Sequence, residues 1–155
     1  MKNKELFDLL QGLRNVGTYG GVKFAYAVAK NMAKVLEECK LLEESAKPSD
    51  EHQAYDTERM ALIDICAVKE NGQCVIKNGQ YVIDPAFKAQ FNKESDDLQT
   101  KHATAINARK VQLVEFDKLL AEEASDLKLM KIKYEVLPES ITAEHISGIM
   151  PIIED

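Results

Sequence analysis

The sequence predicts an α+β fold that is predominantly α-helical, with a helical hairpin, one long helix and a small antiparallel β-sheet. Apolar residues recur at spacings of three and four along most of the chain, which is the period of an amphipathic helix. The pattern changes to that of β-strands in only two stretches, 71–84 and 129–136. The chain has 155 residues, of which 45% are hydrophobic. We therefore expect one folded domain, 1–155, without an internal repeat or a linker.

The N-terminal half, residues 1–70, contains three predicted helices. The first covers 5–16 and carries its leucines on one face. The second runs from 22 to about 46, with an apolar surface broad enough to contact more than one neighbour. The third covers roughly 51–69 and follows Pro48-Ser49-Asp50, which stops one helix and caps the next. This short connection predicts that the second and third helices pack as an antiparallel hairpin.

A β-hairpin is predicted at 71–84. Its strands are the β-favouring runs 74–76 and 81–83, which flank the dipeptide Asn78-Gly79. Asn-Gly tolerates the left-handed backbone conformation that a type I′ hairpin turn requires.

One long helix is predicted over 85–125. Asp84 supplies a cap and Pro85 occupies the first helical position, where a backbone N–H would have no acceptor within the helix. Ile106, Leu113 and Leu120 follow at intervals of seven residues, which indicates coiled-coil-like packing.

The C-terminal segment, 129–155, contains a predicted strand and a short helix. Apolar and charged residues alternate over 129–136, which predicts a half-buried strand beside the hairpin. Thr142 can cap a helix whose apolar face comprises Ile146, Ile149, Met150 and Ile153. This face either closes the core or is presented outward, where it would contact a partner protein or a second copy of the chain.

Charge is distributed unevenly along the chain. The net charge is −6, yet the first 36 residues carry six basic and only two acidic side chains. Lys23, Lys30 and Lys34 lie on one face of the second helix. They form either a solvated face or a binding site for an acidic protein. Nucleic acid is a disfavoured partner, because a chain with a net negative charge binds a phosphate backbone weakly.

The glycines near the N-terminus do not form a phosphate-binding motif. Gly12 and Gly17 have the spacing of a P-loop, but Thr18 stands where that motif requires lysine. The loop also follows a helix rather than a strand. We expect a tight turn between helices.

No catalytic, cofactor-binding or metal-binding residue is predicted. The three histidines are scattered, and a zinc site built from Cys66, Cys74 and His102 lacks any recognised ligand spacing. Acidic pairs lie in solvated helical runs that give no reason for their pKa values to diverge. We therefore expect no enzyme activity, cofactor or metal. No apolar run reaches the roughly 18 residues of a membrane span, so no membrane association is expected.

Four stretches resemble a family of small accessory proteins encoded by tailed siphophages and prophages of Firmicutes. They are MKNKELFDLLQGL, GVKFAYAVAKN, KENGQCVIKNGQYVID and LPESITAEHISGIMPIIED. The resemblance extends over nearly the whole chain, and it implies a bacteriophage origin and a small helical accessory protein. It assigns no activity.

Together these observations favour a non-enzymatic protein that binds other proteins, either a virion or tail-assembly component or an assembly chaperone. The alternative is a phage-encoded inhibitor that binds a host anti-phage defence enzyme. The expected partner is a phage structural protein or a host protein, and a homo-oligomer is the further option. We expect the protein in the cytoplasm of the bacterial host, with the virion as the other location.

Overall fold

The computed structural model describes residues 1–154 and confirms a predominantly helical α+β fold. None of the described helices is long and apolar enough to span a membrane. The helices are α1 (Glu5–Val16), α2 (Val22–Ser45), α3 (Asp50–Cys66), α4 (Lys88–Lys101), α5 (Ala103–Ala121) and α6 (Ala143–Gly148). The strands are β1 (Lys69–Glu70), β2 (Gln73–Cys74), β3 (Ile76–Lys77), β4 (Gln80–Tyr81), β5 (Ile132–Lys133) and β6 (Ile153–Glu154).

Packing divides the chain into two compact units. The first comprises residues 1–47 and the described residues from 114 onward, and the second comprises 48–113. Helix α1 packs against α2 in the first unit, and α3 packs against α4 in the second. The sequence predicted a hairpin of the second and third helices, but α2 and α3 belong to different units. The expectation of a single domain stays a prediction.

The core of the first unit is built on α1, whose apolar face packs against both α2 and α6. Its fully buried side chains include Leu6, Leu9, Leu13, Val16, Phe24, Val28, Val35, Ile149 and Ile152. Gly12 lies where α1 meets α6: a Cβ atom there would stand 2.1 Å from the carbonyl oxygen of Gly148. This glycine is a packing residue, and the backbone contact explains its place within an apolar helix face.

The predicted strand 129–136 is wrong in its extent and in its partner. Only β5 is extended and paired, and it pairs in parallel with β6 through Ile132 and Ile153. A short 3-10 helix, Tyr134–Val136, follows β5, and Tyr134 is 70% exposed rather than buried. The alternation identified Ile132 as an inward residue. It could not show that the end of the chain, rather than the hairpin, lies beside it.

Two hairpins, not one, lie between α3 and α4 in the second unit. The predicted turn at Asn78-Gly79 is confirmed, with φ of 53° and 76° between β3 and β4. An equivalent turn at Asn71-Gly72, with φ of 51° and 79°, joins β1 to β2. The two turns belong to a repeat, since NGQCVI at 71–76 recurs as NGQYVI at 78–83. The expectation that the chain contains no internal repeat is therefore wrong.

Two valines of this repeat and Val68, which precedes it, close a ring of backbone hydrogen bonds. Val75 donates to Val68 (2.9 Å), Val82 donates to Val75 (2.9 Å), and Val68 donates to Val82 (2.8 Å). The amide of Asp84 then donates to the carbonyl of Cys66 at 2.9 Å, which fastens the ring to the end of α3. The ring satisfies backbone groups that two-residue strands would otherwise leave unpaired.

The predicted helix 85–125 is divided into a 3-10 turn, Pro85–Phe87, followed by α4 and α5. The Asp84 cap is confirmed, because its side chain accepts the amide of Ala86 at 2.9 Å. The break falls at His102, whose φ of −105° and ψ of 16° are not helical. No residue of α4 or α5 is fully buried. Coiled-coil packing stays a prediction.

Candidate protein-binding groove

A groove of about 530 Å³ crosses the surface of the first unit. One wall is the exposed face of α2, and the other is the segment 130–136, with Glu154 of β6 beside it. We call it the lysine groove. It is lined by Lys23, Tyr26, Ala27, Met130, Lys131, Ile132, Lys133, Glu135, Val136 and Glu154.

The α2 wall follows from helical spacing. Lys23, Tyr26, Ala27 and Lys30 recur at intervals of three and four residues, so their side chains share one side of the helix. Ala27 is only 2% exposed and forms part of the floor, whereas Tyr26 is 59% exposed. The Lys30 ammonium stands 5.7 Å from the centre of the Tyr26 ring, within the range of a cation–π contact.

The opposite wall is held in place by Asn31, which is wholly buried. Its Nδ2 donates to the carbonyl oxygen of Met130 at 2.8 Å, and its Oδ1 accepts the Met130 amide at 2.7 Å. Lys131 Nζ also donates to the carbonyl of Pro151 at 2.8 Å. These bonds and the pairing of β5 with β6 fix the wall before any ligand arrives.

Positive charge in the groove has no carboxylate partner within the described residues. The ion pairs of residues 1–154 include none of the lysines at 23, 30, 34, 128, 131 and 133. Helix α2 carries no acid before Glu37. Glu135 and Glu154 line the groove, but neither forms an ion pair with a lysine.

The three lysines predicted from the sequence have different surroundings. Lys23 lines the groove and is exposed, and Lys30 is exposed above Tyr26. Lys34 is half-buried, and its Nζ donates to the carbonyl of Lys128. Lys131 and Lys133 also line the groove, and they were not among the predicted site residues. The signal for them was the alternation of charged and apolar residues around Ile132, which points both lysines away from the core.

The predicted C-terminal face does not form one exposed surface. Ile149 is fully buried, Ile146 and Ile153 are half-buried, and Met150 is 57% exposed. Ile152, which the prediction omitted, is also fully buried. Pro151 lies in a 3-10 turn, Met150–Ile152, and this turn changes which side chains face inward. Ile149 is thus a core residue, and of this set only Met150 remains a candidate contact.

A polar cluster in the second unit joins α3 to the junction of α4 and α5. Glu58 accepts a hydrogen bond from Lys101 at 2.7 Å, and His102 Nε2 lies 3.2 Å from the same carboxylate. The Lys101 hydrogen bond lowers the pKa of Glu58, with a smaller contribution from His102. A carboxylate that stays ionised in this way is a poor general acid near neutral pH. We interpret the cluster as an ion-pair contact between helices.

The cysteines and histidines do not assemble a metal site in the described part of the chain. Among residues 1–154, no group of three or more His, Cys, Asp or Glu side chains is placed to hold a metal ion. Cys66 is fully buried, and burial raises the pKa of its thiol. Cys74 Sγ instead lies 3.8 Å from Asp64 Oδ1. The absence of a bound metal stays a prediction.

Comparison with known protein families, curated proteins and solved structures found no match to this chain. The resemblance to phage accessory proteins therefore stays an expectation.

Proposed function

We propose that this chain is a non-enzymatic bacteriophage protein that works by binding another protein, as a virion or tail-assembly component or an assembly chaperone. The observation that supports this proposal is the lysine groove. It combines an apolar floor, lysines without carboxylate partners and a wall fixed by Asn31. A preformed groove of this kind can receive a partner with little loss of conformational entropy.

The chemistry of the groove favours binding over catalysis. Its titratable groups are lysines, Tyr26 and two glutamates, and among the described residues no nucleophile in the groove is hydrogen-bonded to a base. Its volume falls within the range of sites that bury side chains or small ligands. A protein partner is favoured over nucleic acid, because the whole chain carries a net charge of −6, which opposes binding along a phosphate backbone.

The proposal is tested by reconstitution. The chain and a Lys23→Glu/Lys133→Glu variant serve as baits in extracts of phage-infected cells, and each captured protein is then purified and titrated against both. We expect a binary complex of fixed stoichiometry that the variant weakens at least tenfold. Lys40→Glu/Lys118→Glu, which makes the same change of charge at exposed lysines outside the groove, should bind normally. A complex that both variants form equally well would contradict the role of the groove.

The location of the protein separates the two functional candidates. Copies detected by mass spectrometry inside purified virions would support a structural or assembly role. Presence only in lysates from early infection, together with inhibition of a purified host defence enzyme, would support the inhibitor.

A further inference from the structure

We infer that the occupant of the lysine groove is a short acidic segment of the partner protein, in which carboxylates flank one apolar side chain. This inference rests on the proposed function and specifies the chemistry of the partner.

Three lysines and two glutamates line the groove, so its charge favours a partner that brings acids to the lysines. Lys23 lies on the α2 wall, and Lys131 and Lys133 lie on the opposite wall. Lys131 has one donor engaged with Pro151, but an ammonium has three donors, so two remain for a ligand. Because lysines stand on both sides of the floor, carboxylates are needed on both sides of the residue that enters the groove.

The floor requires an apolar side chain between those acids. Ala27 and Ile132 are each 2% exposed and lie at the base, whereas Met130 is 38% exposed on the wall. A purely acidic segment would leave this apolar surface in contact with water. Covering it with a leucine-sized side chain removes apolar area from both partners.

The test uses a defined probe. A fluorescein-labelled peptide, Asp-Glu-Asp-Leu-Glu-Asp-Glu, is titrated with the purified chain while fluorescence anisotropy is followed. We expect saturable binding that weakens as salt is added. Replacing the leucine of the peptide by serine should weaken binding by roughly tenfold, the effect of losing one buried leucine side chain. Replacing all its acids by Asn and Gln should abolish measurable binding.

Variants of the chain locate the site. Lys23→Glu/Lys133→Glu should lose the peptide, while Lys40→Glu/Lys118→Glu should retain it. All four lysines are exposed, so circular dichroism should show that both variants fold. Amide chemical-shift changes on adding peptide should concentrate in α2 and in 130–136. Shifts confined to other residues would overturn the assignment.

The outcomes distinguish this inference from the proposed function. If the peptide does not bind, but a reconstituted protein partner binds and depends on Lys23 and Lys133, the acidic-segment inference is wrong and the proposed function stands. If neither binds, both are wrong. Tighter binding of a twelve-nucleotide oligothymidylate than of the peptide would also overturn the inference, because the groove would then prefer phosphates.

Discussion

The side-chain amide of Asn31 pairs with both backbone groups of Met130, a residue 99 positions further along the chain. The pairing reproduces the two hydrogen bonds that a neighbouring strand would make. It also satisfies a polar side chain that is completely buried. One residue of α2 therefore supports the core and places the opposite wall of the lysine groove.

Asn31→Ala should lower the free energy of unfolding by about 2 kcal/mol, because it leaves the Met130 amide and carbonyl without partners. Urea denaturation followed by circular dichroism measures the change. Asn92→Ala removes an exposed asparagine from α4 and should change stability by no more than about 0.5 kcal/mol. Equal effects of the two substitutions would mean that the Asn31 pairing does not hold the wall.

Gly12→Ala should destabilise the first unit by about 1–3 kcal/mol, since the new methyl group would overlap the Gly148 carbonyl and force α1 away from α6. Thermal unfolding gives the stability, and hydrogen exchange in α6 shows where it is lost. Gly20→Ala is the matched control, because no atom lies within 4 Å of its added Cβ. A Gly12→Ala protein as stable as the wild type would contradict the close contact.

Gly79→Val should reduce stability by about 1 kcal/mol or more, because a β-branched residue resists positive φ. A Cβ atom added at Gly79 or at Gly72 would have no atom within 4 Å, so the effect is conformational at both. Gly72→Val should therefore have a similar effect. A melting temperature unchanged by either substitution would contradict the paired type I′ turns.

The ion pair of Glu58 should make stability depend on pH. The pKa of Glu58 is lowered in the folded protein by Lys101, so the pair stabilises the fold above the ordinary glutamate value of 4.5. That contribution is lost as the pH falls through the lowered folded pKa. Glu58→Gln should therefore be less stable than wild type at pH 7, with a difference that closes on acidification. Glu37→Gln, a change outside these ion pairs, should show the same free energy of unfolding as the wild type at every pH. A stability difference between Glu58→Gln and the wild type that persists unchanged at pH 2 would contradict the stabilising role of the Glu58 ion pair.

Sequence patterns predicted the structural elements that are determined by residues close to one another in the chain. The leucine face of α1, the Asn78-Gly79 turn and the caps at Ser49, Asp84 and Thr142 all depend on neighbouring residues. Each is found in the structure where the sequence indicated it.

Contacts between distant segments were not predictable in this way. Nothing near Ile132 indicates that Ile153 will lie beside it, because parallel pairing brings together remote parts of the chain. Asn31 did leave a signal: it interrupts the apolar stripe of α2 between Val28 and Val35, where a polar residue needs a buried partner. The identity of that partner depends on the path of the chain around Met130.

A charge swap measured by isothermal titration calorimetry tests whether the lysine groove recognises its partner by charge. The wild-type chain and the Lys23→Glu/Lys133→Glu variant are each titrated with the acidic peptide and with a peptide in which lysine replaces every acid. We predict that the wild type binds only the acidic peptide and that the variant binds only the basic one. A variant that retains the acidic peptide with unchanged affinity would contradict the claim that the lysine groove recognises its partner by charge.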